Sequence, residues 1–552
     1  MNLLTERWMP VRTHGGQRRW VAPIELASPE WAAFDADRAD FNGALAQFAI
    51  GLLQTALPVD GVLQWRKRLM APPQPAELED ALAPLAAAFE WDAEGARFMQ
   101  DFDLRAGDGE PLGIGALLIE SPGENTVKNN SDLFVKRGHV QALCDHCAAL
   151  ALFTLQLNAP SGGAGHRTGL RGGGPLTTLL VAEGTGAEGP HSLWHTLWLN
   201  VLDRAAFEAL GGDADKSELY FTFPWLSSIT RLQKADGQLT PAQVHPAHVF
   251  WAMPRRIRLD LEAVSPGCCD VCGRESSRLI SRYVTRNYGL NYKGAWSHPL
   301  SPYYESKEGM LPLHPQPDGL GYRHWLGWVL GMQRDKRHVA RAAVIERFFS
   351  ADRERRTGVA LRLWAFGYDM DNMKPRCWYD ATLPLYALGE CSVSAQQALR
   401  DDVGGWLAGA ELAASYLRGA VKGAWFSHDA RGDLTFVDAS FWSRTERPFY
   451  ELLSGRIEAA RAEQAVLPGE AWLRVLQNTA RHLFDAEWVG AGPVERQNPA
   501  RIAQAHRQLV NSLNGPKLRA ALGLPQTESA IQKTKGKSKD KTKGAPGAKE
   551  NE

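Results

Sequence analysis

Hydrophobic residues recur at intervals of three and four positions in the last third of the chain. This spacing aligns them on one face of a helix. It repeats over four consecutive segments, residues 394–425, 438–462, 468–488 and 499–513. Asn498 before Pro499 is typical of a helix start, because asparagine caps free N–H groups and proline fits the first turn. The pattern predicts a four-helix bundle over residues 387–524.

The first 386 residues show a mixed pattern with many short elements. An apolar stretch at 41–57 predicts a helix, and residues 176–181 after a Gly-Pro turn predict a strand. Residues 248–261 are expected to form another extended run. We therefore expect an α+β fold, with a large mixed N-terminal domain over residues 1–386 that precedes the bundle.

Residues 525–552 form a lysine-rich tail. Its lysines occupy alternate positions among Thr, Ser, Gly and Asp, at 533, 535, 537, 539, 541 and 543. Such a composition cannot bury a core, so the tail is predicted to be disordered. A solubilising role and weak contact with phosphates are both compatible with it.

Charge and composition narrow the functional class. The chain has 62 basic and 62 acidic residues, so any binding to nucleic acid must depend on a local surface. No apolar run is long enough to span a membrane, and the N-terminus lacks the build of a signal peptide. The seven cysteines suit a reducing compartment. We expect a cytoplasmic protein without a membrane partner.

Two CxxC pairs carry the clearest chemical signal. Cys144 with Cys147 and Cys269 with Cys272 have the spacing that presents two thiolates to one tetrahedral metal ion. The pattern predicts one structural zinc ion, with no open position for an activated water. The alternative is four reduced, buried cysteines that pack as small hydrophobic residues.

Two neighbouring residues complicate this ligand set. Cys268 stands beside Cys269 and leaves one ligand ambiguous, although Cys269 has the better spacing to Cys272. His146 lies between two better ligands and is interpreted as a solvent-facing residue of the knuckle.

The glycine-rich segment 161–174 has two interpretations. It is not a Walker loop, because His166 and Arg167 occupy the place of the required lysine and hydroxyl residue. Its backbone, flanked by Arg167 and Arg171, suits close approach to nucleic acid. The alternative is a tight connection packed against the zinc site.

Several short motifs together resemble one known family, the large subunit of the type I-E CRISPR Cascade complex, often called CasA. The order and spacing match over nearly the whole chain except the tail. The matching residues are Asn2-Leu3-Leu4, Trp8 to Arg12, Ala142-Leu143-Cys144 with Cys147, Ala159-Pro160, Leu170 to Gly173 with Pro175, Thr177-Thr178, Cys269 with Cys272-Gly273, Trp296, His298-Pro299 and Ser301-Pro302.

This resemblance implies a function without catalysis. The family's subunit belongs to an RNA-guided surveillance complex, recognises the protospacer-adjacent motif in double-stranded DNA, promotes duplex opening and R-loop formation, and recruits a helicase-nuclease. Its implied partners are the backbone, small and guide-end-binding subunits of Cascade, the CRISPR guide RNA and the target DNA. Sequence reading is then delegated to guide pairing, and the protein reads only a short motif.

The resemblance also implies contact residues. Phe134 with Lys136 stands at the family's aromatic contact before the first cysteine pair, and the glycine loop falls on Gly162, Gly163 and Ala164. The family's lysine finger falls on Asn287, with Arg286 beside it, so either residue is a candidate. The residues that align with the wedge that parts the first base pairs are Asn372 and Lys374.

The two cysteine pairs also allow a second functional class, a zinc-containing enzyme that modifies nucleic acid. Such enzymes need an open metal position and a His-x-Glu motif with Pro-Cys-x-x-Cys. Neither cysteine pair follows a proline, and no His-x-Glu accompanies them. The sequence favours the binding subunit.

Overall fold

The computed structural model comprises two compact units. The first contains Met1–Leu320 and Gly327–Ala387, and the second contains Gly321–Leu326 and Leu388–Glu552. Residues described in this structure are 1–132, 137–162, 165–186, 189–229, 232–234, 236–317, 319–334, 337–350, 353, 357, 360–372, 374–386, 388–389, 391–426, 433–464, 469–490 and 498–525. The predicted tail beyond Pro525 lies outside them. Mixed helices and strands followed by a helical region confirm the α+β class.

The first unit is built around one apolar helix. The predicted helix at 41–57 is found at Ala39–Ala56, and Phe48 near its centre is buried. Aromatic rings surround Phe48 at centroid distances of 5.2–5.9 Å, namely Trp8, Phe89, Phe98, Phe153 and Trp251. This ring cluster draws residues from distant parts of the sequence into one core, where each fully buried ring stabilises the fold by about 1.5–3 kcal/mol.

Most other helices of this unit are short. The α-helices besides Ala39–Ala56 are Gly61–Met70, Pro75–Leu82, Glu124–Lys128, Asp145–Asn158, Leu193–Leu199, Arg204–Glu208, Leu219–Thr222 and Ala343–Ser350. The 3-10 helices are Pro23–Glu25, Ala83–Phe89, Ile114–Leu117, Pro224–Leu226, Pro241–Gln243 and Pro246–Phe250. A single π-helical turn spans Leu326–Leu330.

The described strands form small antiparallel sheets. The three-stranded sheets, each in spatial order, are Arg18–Val21, Met9–Thr13 and Trp31–Phe34; Val264–Cys268, Glu275–Ile280 and Leu143–Cys144; Leu112–Gly113, Arg282–Arg286 and Arg256–Leu259; and Lys374–Leu385, Ala360–Asp371 and Thr177–Glu183. A four-stranded sheet has the order Gly309–Pro312, Tyr303–Ser306, Arg337–Ala340 and Met332–Arg334. The strands Thr185–Gly186 and Gly189–Pro190 form a two-stranded sheet.

Two predicted strands have different outcomes. The strand predicted at 176–181 is found at Thr177–Glu183, where it pairs with the strand Ala360–Asp371. The extended run predicted at 248–261 is wrong over its first half, because Pro246–Phe250 forms a 3-10 helix and only Arg256–Leu259 is a strand. Pro246 favours a first helical turn, and the His245 ring accepts the Ala247 backbone N–H at 3.1 Å.

The second unit is helical. Its first helix, Val393–Trp425, packs against the helices that follow it. The others are Thr435–Arg461, Gly469–His482, a π-helical continuation at Leu483–Trp488, Pro499–Leu513 and the short Pro516–Ala521. The four longer helices lie within a few residues of the predicted segments, and Asn498 caps the last of them by accepting the Arg501 backbone N–H.

A short segment distant in sequence completes the core of this unit. Tyr322 stacks on Phe449 with a centroid distance of 4.4 Å, and its hydroxyl lies 2.9 Å from that of Thr445. The helical periodicity of the C-terminal sequence did not indicate that Tyr322 would pack into this core. Among the described residues, no helix is both long and apolar enough to cross a membrane.

A buried ion cluster fastens the helix Ala343–Ser350 to the rest of the first unit. Asp203, 1% exposed, accepts hydrogen bonds from Arg347 at 2.7 Å and from Arg353 at 2.9 Å. The Arg353 guanidinium also lies 4.1 Å from the centroid of the Trp65 ring. Burial raises the pKa of Asp203, but the two arginines outweigh it and hold that pKa below its usual value.

We expect Asp203→Asn to lower the free energy of unfolding by about 3–5 kcal/mol near neutral pH, because it leaves the buried Arg353 guanidinium and the half-buried Arg347 guanidinium without a counter-charge. The folded-state pKa of Asp203 lies below its unfolded-state value, so its stabilisation is complete above about pH 5 and disappears as the pH falls through the folded-state pKa. Urea unfolding at several pH values measures the free energy of unfolding of the variant and of the unmodified protein. Asp213→Asn is the control, since the partly exposed pair of Asp213 with Lys216, whose N–O distance is 3.5 Å, should contribute little. Equal stabilities for the two variants would contradict the prediction.

Candidate metal centre and nucleic-acid interface

Four cysteine side chains converge in the first unit. The Sγ atoms of Cys144, Cys147, Cys269 and Cys272 all lie within 4.8 Å of one another, and those of Cys144 and Cys272 are 3.8 Å apart. A tetrahedron of thiolates around one ion with metal–sulfur bonds of about 2.3 Å has sulfur–sulfur distances of about 3.8 Å. Cys268 is exposed and outside the cluster, which resolves the ambiguity in favour of Cys269.

Local structure explains the convergence. Cys144 ends the short strand Leu143–Cys144 and precedes the helix Asp145–Asn158, whose first turn contains Cys147. The other two cysteines lie in the turn after the strand Val264–Cys268. The next strand, Glu275–Ile280, pairs with Leu143–Cys144 and so aligns the two cysteine pairs.

Asp270, which lies between Cys269 and Cys272, also holds the two cysteine pairs together. Its carboxylate accepts the backbone N–H groups of Gln141 at 2.7 Å and of Ala142 at 2.8 Å. The turn of the second pair is therefore fastened to the chain that enters the first pair, independently of any metal. Sequence reasoning missed Asp270, and its only signal was its position inside the CxxC motif.

The chemistry of the cluster fits a soft divalent cation. Hydrogen bonding from Cys144 raises the pKa of the Cys147 thiol, and the same kind of contact lowers the pKa of the Cys269 thiol. The four groups thus compete for protons, and they cannot all be thiolates unless a cation compensates the charge. Four sulfur donors in a partly buried tetrahedron could hold a metal ion such as zinc.

His146 differs from the expectation of a solvent-facing residue. Its ring is half-buried against Trp20, at a centroid distance of 5.4 Å, and its Nδ1 lies 3.1 Å from a nitrogen of Arg274. The Arg274 guanidinium in turn lies 4.1 Å from the centroid of the Trp20 ring. Burial lowers the pKa of His146 to about 4. The N-terminal hairpin covers this residue, which local sequence did not indicate.

The helix Asp145–Asn158 connects the cysteine cluster to the glycine-rich segment. Its 14 residues span about 21 Å. At its end, the backbone N–H of Gly169 donates to the Ala159 carbonyl at 2.8 Å, and that of Gly174 donates to the Asn158 carbonyl at 3.1 Å. The described part of the glycine-rich segment is therefore folded back tightly on the end of this helix.

Arg171 does not flank a groove as expected. It is 3% exposed, and its guanidinium donates hydrogen bonds to Gln47, Thr177 and Ser301. Its side chain therefore anchors the glycine-rich segment from inside. Of the predicted glycine loop, Gly163 and Ala164 lie outside the described residues, and Gly162 is exposed beside the Arg255 guanidinium.

Tyr288 joins the glycine-rich segment to the candidate finger. Its backbone N–H donates to the Gly165 carbonyl at 3.0 Å, and a Cβ at Gly165 would lie 2.6 Å from its ring. Arg286 and Asn287 are exposed immediately before it. The φ of Tyr288 is 59°, a strained value for a bulky residue that the surrounding contacts maintain. Sequence reasoning missed Tyr288, because only the three-dimensional contact reveals its role.

The candidate wedge forms the tip of a long hairpin. Asp371 and Lys374 pair across the turn between the strands Ala360–Asp371 and Lys374–Leu385. Asn372 is exposed in the turn with a φ of 46°, a left-handed value that asparagine tolerates well. An exposed turn is a position from which the residue aligned with the wedge can reach a DNA duplex.

The same hairpin contacts the other end of the glycine-rich segment. A Cβ at Gly174 would lie 2.7 Å from the Tyr368 side chain and 3.0 Å from that of Met370. The Tyr368 hydroxyl donates to Asp40 at 2.6 Å. The structure therefore brings together the finger residues, the glycine-rich segment and the part of the hairpin next to its tip. The remaining two predicted contacts, Phe134 and Lys136, lie outside the described residues.

Comparison with known proteins identifies similar chains. Residues 2–483 match the family model described as CRISPR-associated protein Cse1. The structure of Thermus thermophilus CasA (Cse1) is 17% identical, with a TM-score of 0.64 over 93% of this chain and 99% of that one. Cse1 from Acidimicrobium ferrooxidans is 17% identical, with a TM-score of 0.64 over 95% and 99%. A chain of a structure described as a CRISPR RNA-guided surveillance complex is 16% identical, with a TM-score of 0.65 over 93% and 99%. At these identities the structural likeness shows the fold.

We expect Cys147→Ser to lower both the metal content and the stability of the protein, because the binding energy of a structural metal contributes to folding. Elemental analysis should find about one metal ion per chain in the unmodified protein and much less in the variant. Cys268→Ser is a matched control, since this neighbouring thiol lies outside the cluster. Full stability of the unmodified protein without any metal would contradict the prediction.

Proposed function

Because the chain belongs to the CRISPR-associated Cse1 family, we propose that it is the non-catalytic large subunit of a type I-E Cascade surveillance complex. In this role it recognises the protospacer-adjacent motif in double-stranded DNA, promotes duplex opening and R-loop formation, and recruits a helicase-nuclease. Its partners would be the other Cascade subunits and the guide RNA. The match to a chain of an RNA-guided surveillance complex supports this proposal.

The observation that carries the proposal is the contact between Tyr288 and Gly165. Gly165 directly follows the glycine loop, and Tyr288 directly follows the candidate finger, so this contact joins the ends of two stretches that the family resemblance assigns separately to motif recognition. A loop without bulky side chains allows the backbone to approach a base edge, while an adjacent basic side chain contacts phosphate. A shared contact between them is what joint reading of one short motif requires.

We assign separate roles to the candidate residues. The amides of Gly162, Gly163 and Ala164 would approach the minor groove, where the pattern of donors and acceptors is degenerate and several motifs are therefore accepted. Arg286 or Asn287 would act as the finger. The remaining contacts would come from the aromatic loop and the wedge, with Phe134, Lys136, Asn372 and Lys374 as the residues involved.

The cysteine cluster would serve these contacts indirectly. We propose that it holds zinc, which fixes the start of the helix Asp145–Asn158 and the strand that leads to Arg286. When bound, zinc would supply charge compensation for four thiolates. Four sulfur ligands fill a tetrahedron, so the arrangement favours a structural ion over the alternative of a zinc enzyme acting on nucleic acid.

The helical unit would dock on neighbouring subunits and help to position the helicase-nuclease. The long helices Val393–Trp425 and Thr435–Arg461 would offer extended surfaces for such contacts. The whole assembly would act in the cytoplasm, where its DNA target is accessible.

We expect the tagged full-length chain, expressed with its genomic neighbours, to purify as a multisubunit complex that contains a short guide RNA. Native mass spectrometry and RNA sequencing measure this directly. Expression of the same chain without the neighbouring genes is the control and should yield protein without guide RNA. A stable monomer with no copurifying RNA in both cultures would refute the proposed function.

We expect Asn372→Gly to slow strand opening about tenfold while motif binding is retained, since a wedge offsets the cost of unstacking the first base pair. Glycine removes the amide side chain but accepts the left-handed φ of this position, so the hairpin should persist. Stopped-flow detection of opening, with a fluorescent base next to the motif, measures the rate.

A target whose first positions are mismatched, so that these base pairs are already open, should restore the wild-type rate of the Asn372→Gly variant. Asp371→Asn is the neighbouring control in the same turn and should open linear duplexes normally. Wild-type opening by Asn372→Gly combined with slow opening by the control would assign the wedge to the neighbouring position.

A further inference from the structure

One face of the sheet beneath the candidate finger is rich in arginine. In the strands Arg256–Leu259 and Arg282–Arg286, Arg256 lies opposite Arg286 and Arg258 lies opposite Val284. Residues directly opposite each other, and alternate residues of one strand, share a face of an antiparallel sheet. Arg258 and Arg286 therefore share a face. The loop that follows Phe98 covers this face, and a Cβ at Gly109 would lie 3.7 Å from the Arg286 guanidinium.

Arg258 is the most unusual member of this group. It is 3% exposed, yet among the described residues its guanidinium donates only to the Gly95 carbonyl, through two long hydrogen bonds of 3.4 and 3.5 Å. Burial, together with the charges of Arg97 and Arg105, lowers the pKa of Arg258 to about 10, although the charge of Asp101 acts in the opposite direction. Asp101 acts on Arg258 only at a distance and is itself engaged by Arg256. A buried guanidinium group with no carboxylate in direct contact is costly, so an anion would stabilise Arg258.

Arg97 and Arg105 are held in position by backbone oxygens. Arg97 donates to the Ala93 carbonyl at 2.6 Å, and Arg105 donates to the Phe102 carbonyl at 2.8 Å. Within the described part of the chain, none of the guanidinium groups of Arg97, Arg105, Arg258 and Arg286 has a carboxylate oxygen within 4 Å. Because an arginine presents five N–H donors, these side chains retain capacity for an external acceptor.

The carboxylates nearest to this group are already engaged. Asp101 accepts from Arg256 at 2.8 Å and from Gln233 at 2.6 Å, and its other oxygen accepts two backbone N–H groups. Asp92 is bound by the N-terminal ammonium group and by Arg278. Glu262 is exposed and acts on Arg97 only at a distance. The local excess of positive charge therefore persists although the whole chain is neutral.

We propose that Arg97, Arg105, Arg258 and Arg286, here called the arginine face, bind consecutive phosphate groups of a duplex DNA backbone. Arg97, Arg105 and Arg286 would contact the phosphates, while Arg258 supplies buried positive charge beneath them. This surface extends the contact of the proposed finger along the duplex, and it rests on the proposed function only for the choice of DNA as the nucleic acid. Contacts to phosphate set affinity and carry no base information.

The test measures binding of the full-length chain to short duplexes by fluorescence anisotropy over a range of salt concentrations. The double variant Arg97→Gln/Arg105→Gln should bind about tenfold more weakly or worse, and the slope of log K against log salt should fall by about 1.8, or about 0.9 for each lost phosphate contact. Duplexes with and without the recognised motif should be affected equally. Arg97→Lys/Arg105→Lys keeps both charges and should retain most of the slope.

The matched control is Arg66→Gln/Lys67→Gln on the exposed side of the helix Gly61–Met70, which removes the same charge from another surface. An unchanged slope in Arg97→Gln/Arg105→Gln, or an equal loss in the control, would overturn the arginine face. A weaker affinity for guide RNA with unchanged binding to DNA would also overturn it, since the anion would then be RNA. Loss of motif discrimination by the unmodified chain assembled with its guide RNA would instead refute the proposed function and leave the salt-slope result standing.

Discussion

The convergence of four thiols is the constraint on which the candidate interface depends. Cys144 and Cys272 are 128 residues apart in sequence, yet their sulfur atoms lie 3.8 Å apart. The first pair begins the helix that ends at the glycine-rich segment, and the second pair leads through one strand to the strand that ends at Arg286. A displacement at the cluster would therefore move both elements. Tyr288 and Gly165 then join these elements again at the far end.

Buried polar contacts determine the shape of this interface from beneath. Arg171 anchors the glycine-rich segment through Gln47, Thr177 and Ser301, and Tyr368 anchors the hairpin through Asp40. Each of these groups would be costly to bury without its partner, so the contacts favour one arrangement of the surface loops. Glycines at the points of closest approach allow neighbouring side chains to pack directly against the backbone.

The distribution of charge explains how a neutral chain can carry a basic surface. Many arginines of the first unit are paired with carboxylates, as Arg256 is with Asp101 and Arg282 with Asp260. Three of the arginine face, Arg97, Arg105 and Arg258, are instead held by backbone carbonyls, which orient a guanidinium without neutralising it. Net charge alone therefore underestimated the capacity for binding phosphate, because it averages over paired and unpaired groups.

The sequence by itself determined features that depend on local spacing or on short motifs. Helical periodicity predicted the four long C-terminal helices, CxxC spacing predicted which cysteines cluster, and the motifs identified the family. Tertiary structure decided the insertion of Tyr322, the burial of Arg171 and His146, the strained Tyr288 and the arginine face. These depend on contacts between residues far apart in the chain, whose geometry is set by the packing of whole elements. Periodicity and spacing describe only neighbours in sequence, so they contained no information about which distant groups would meet.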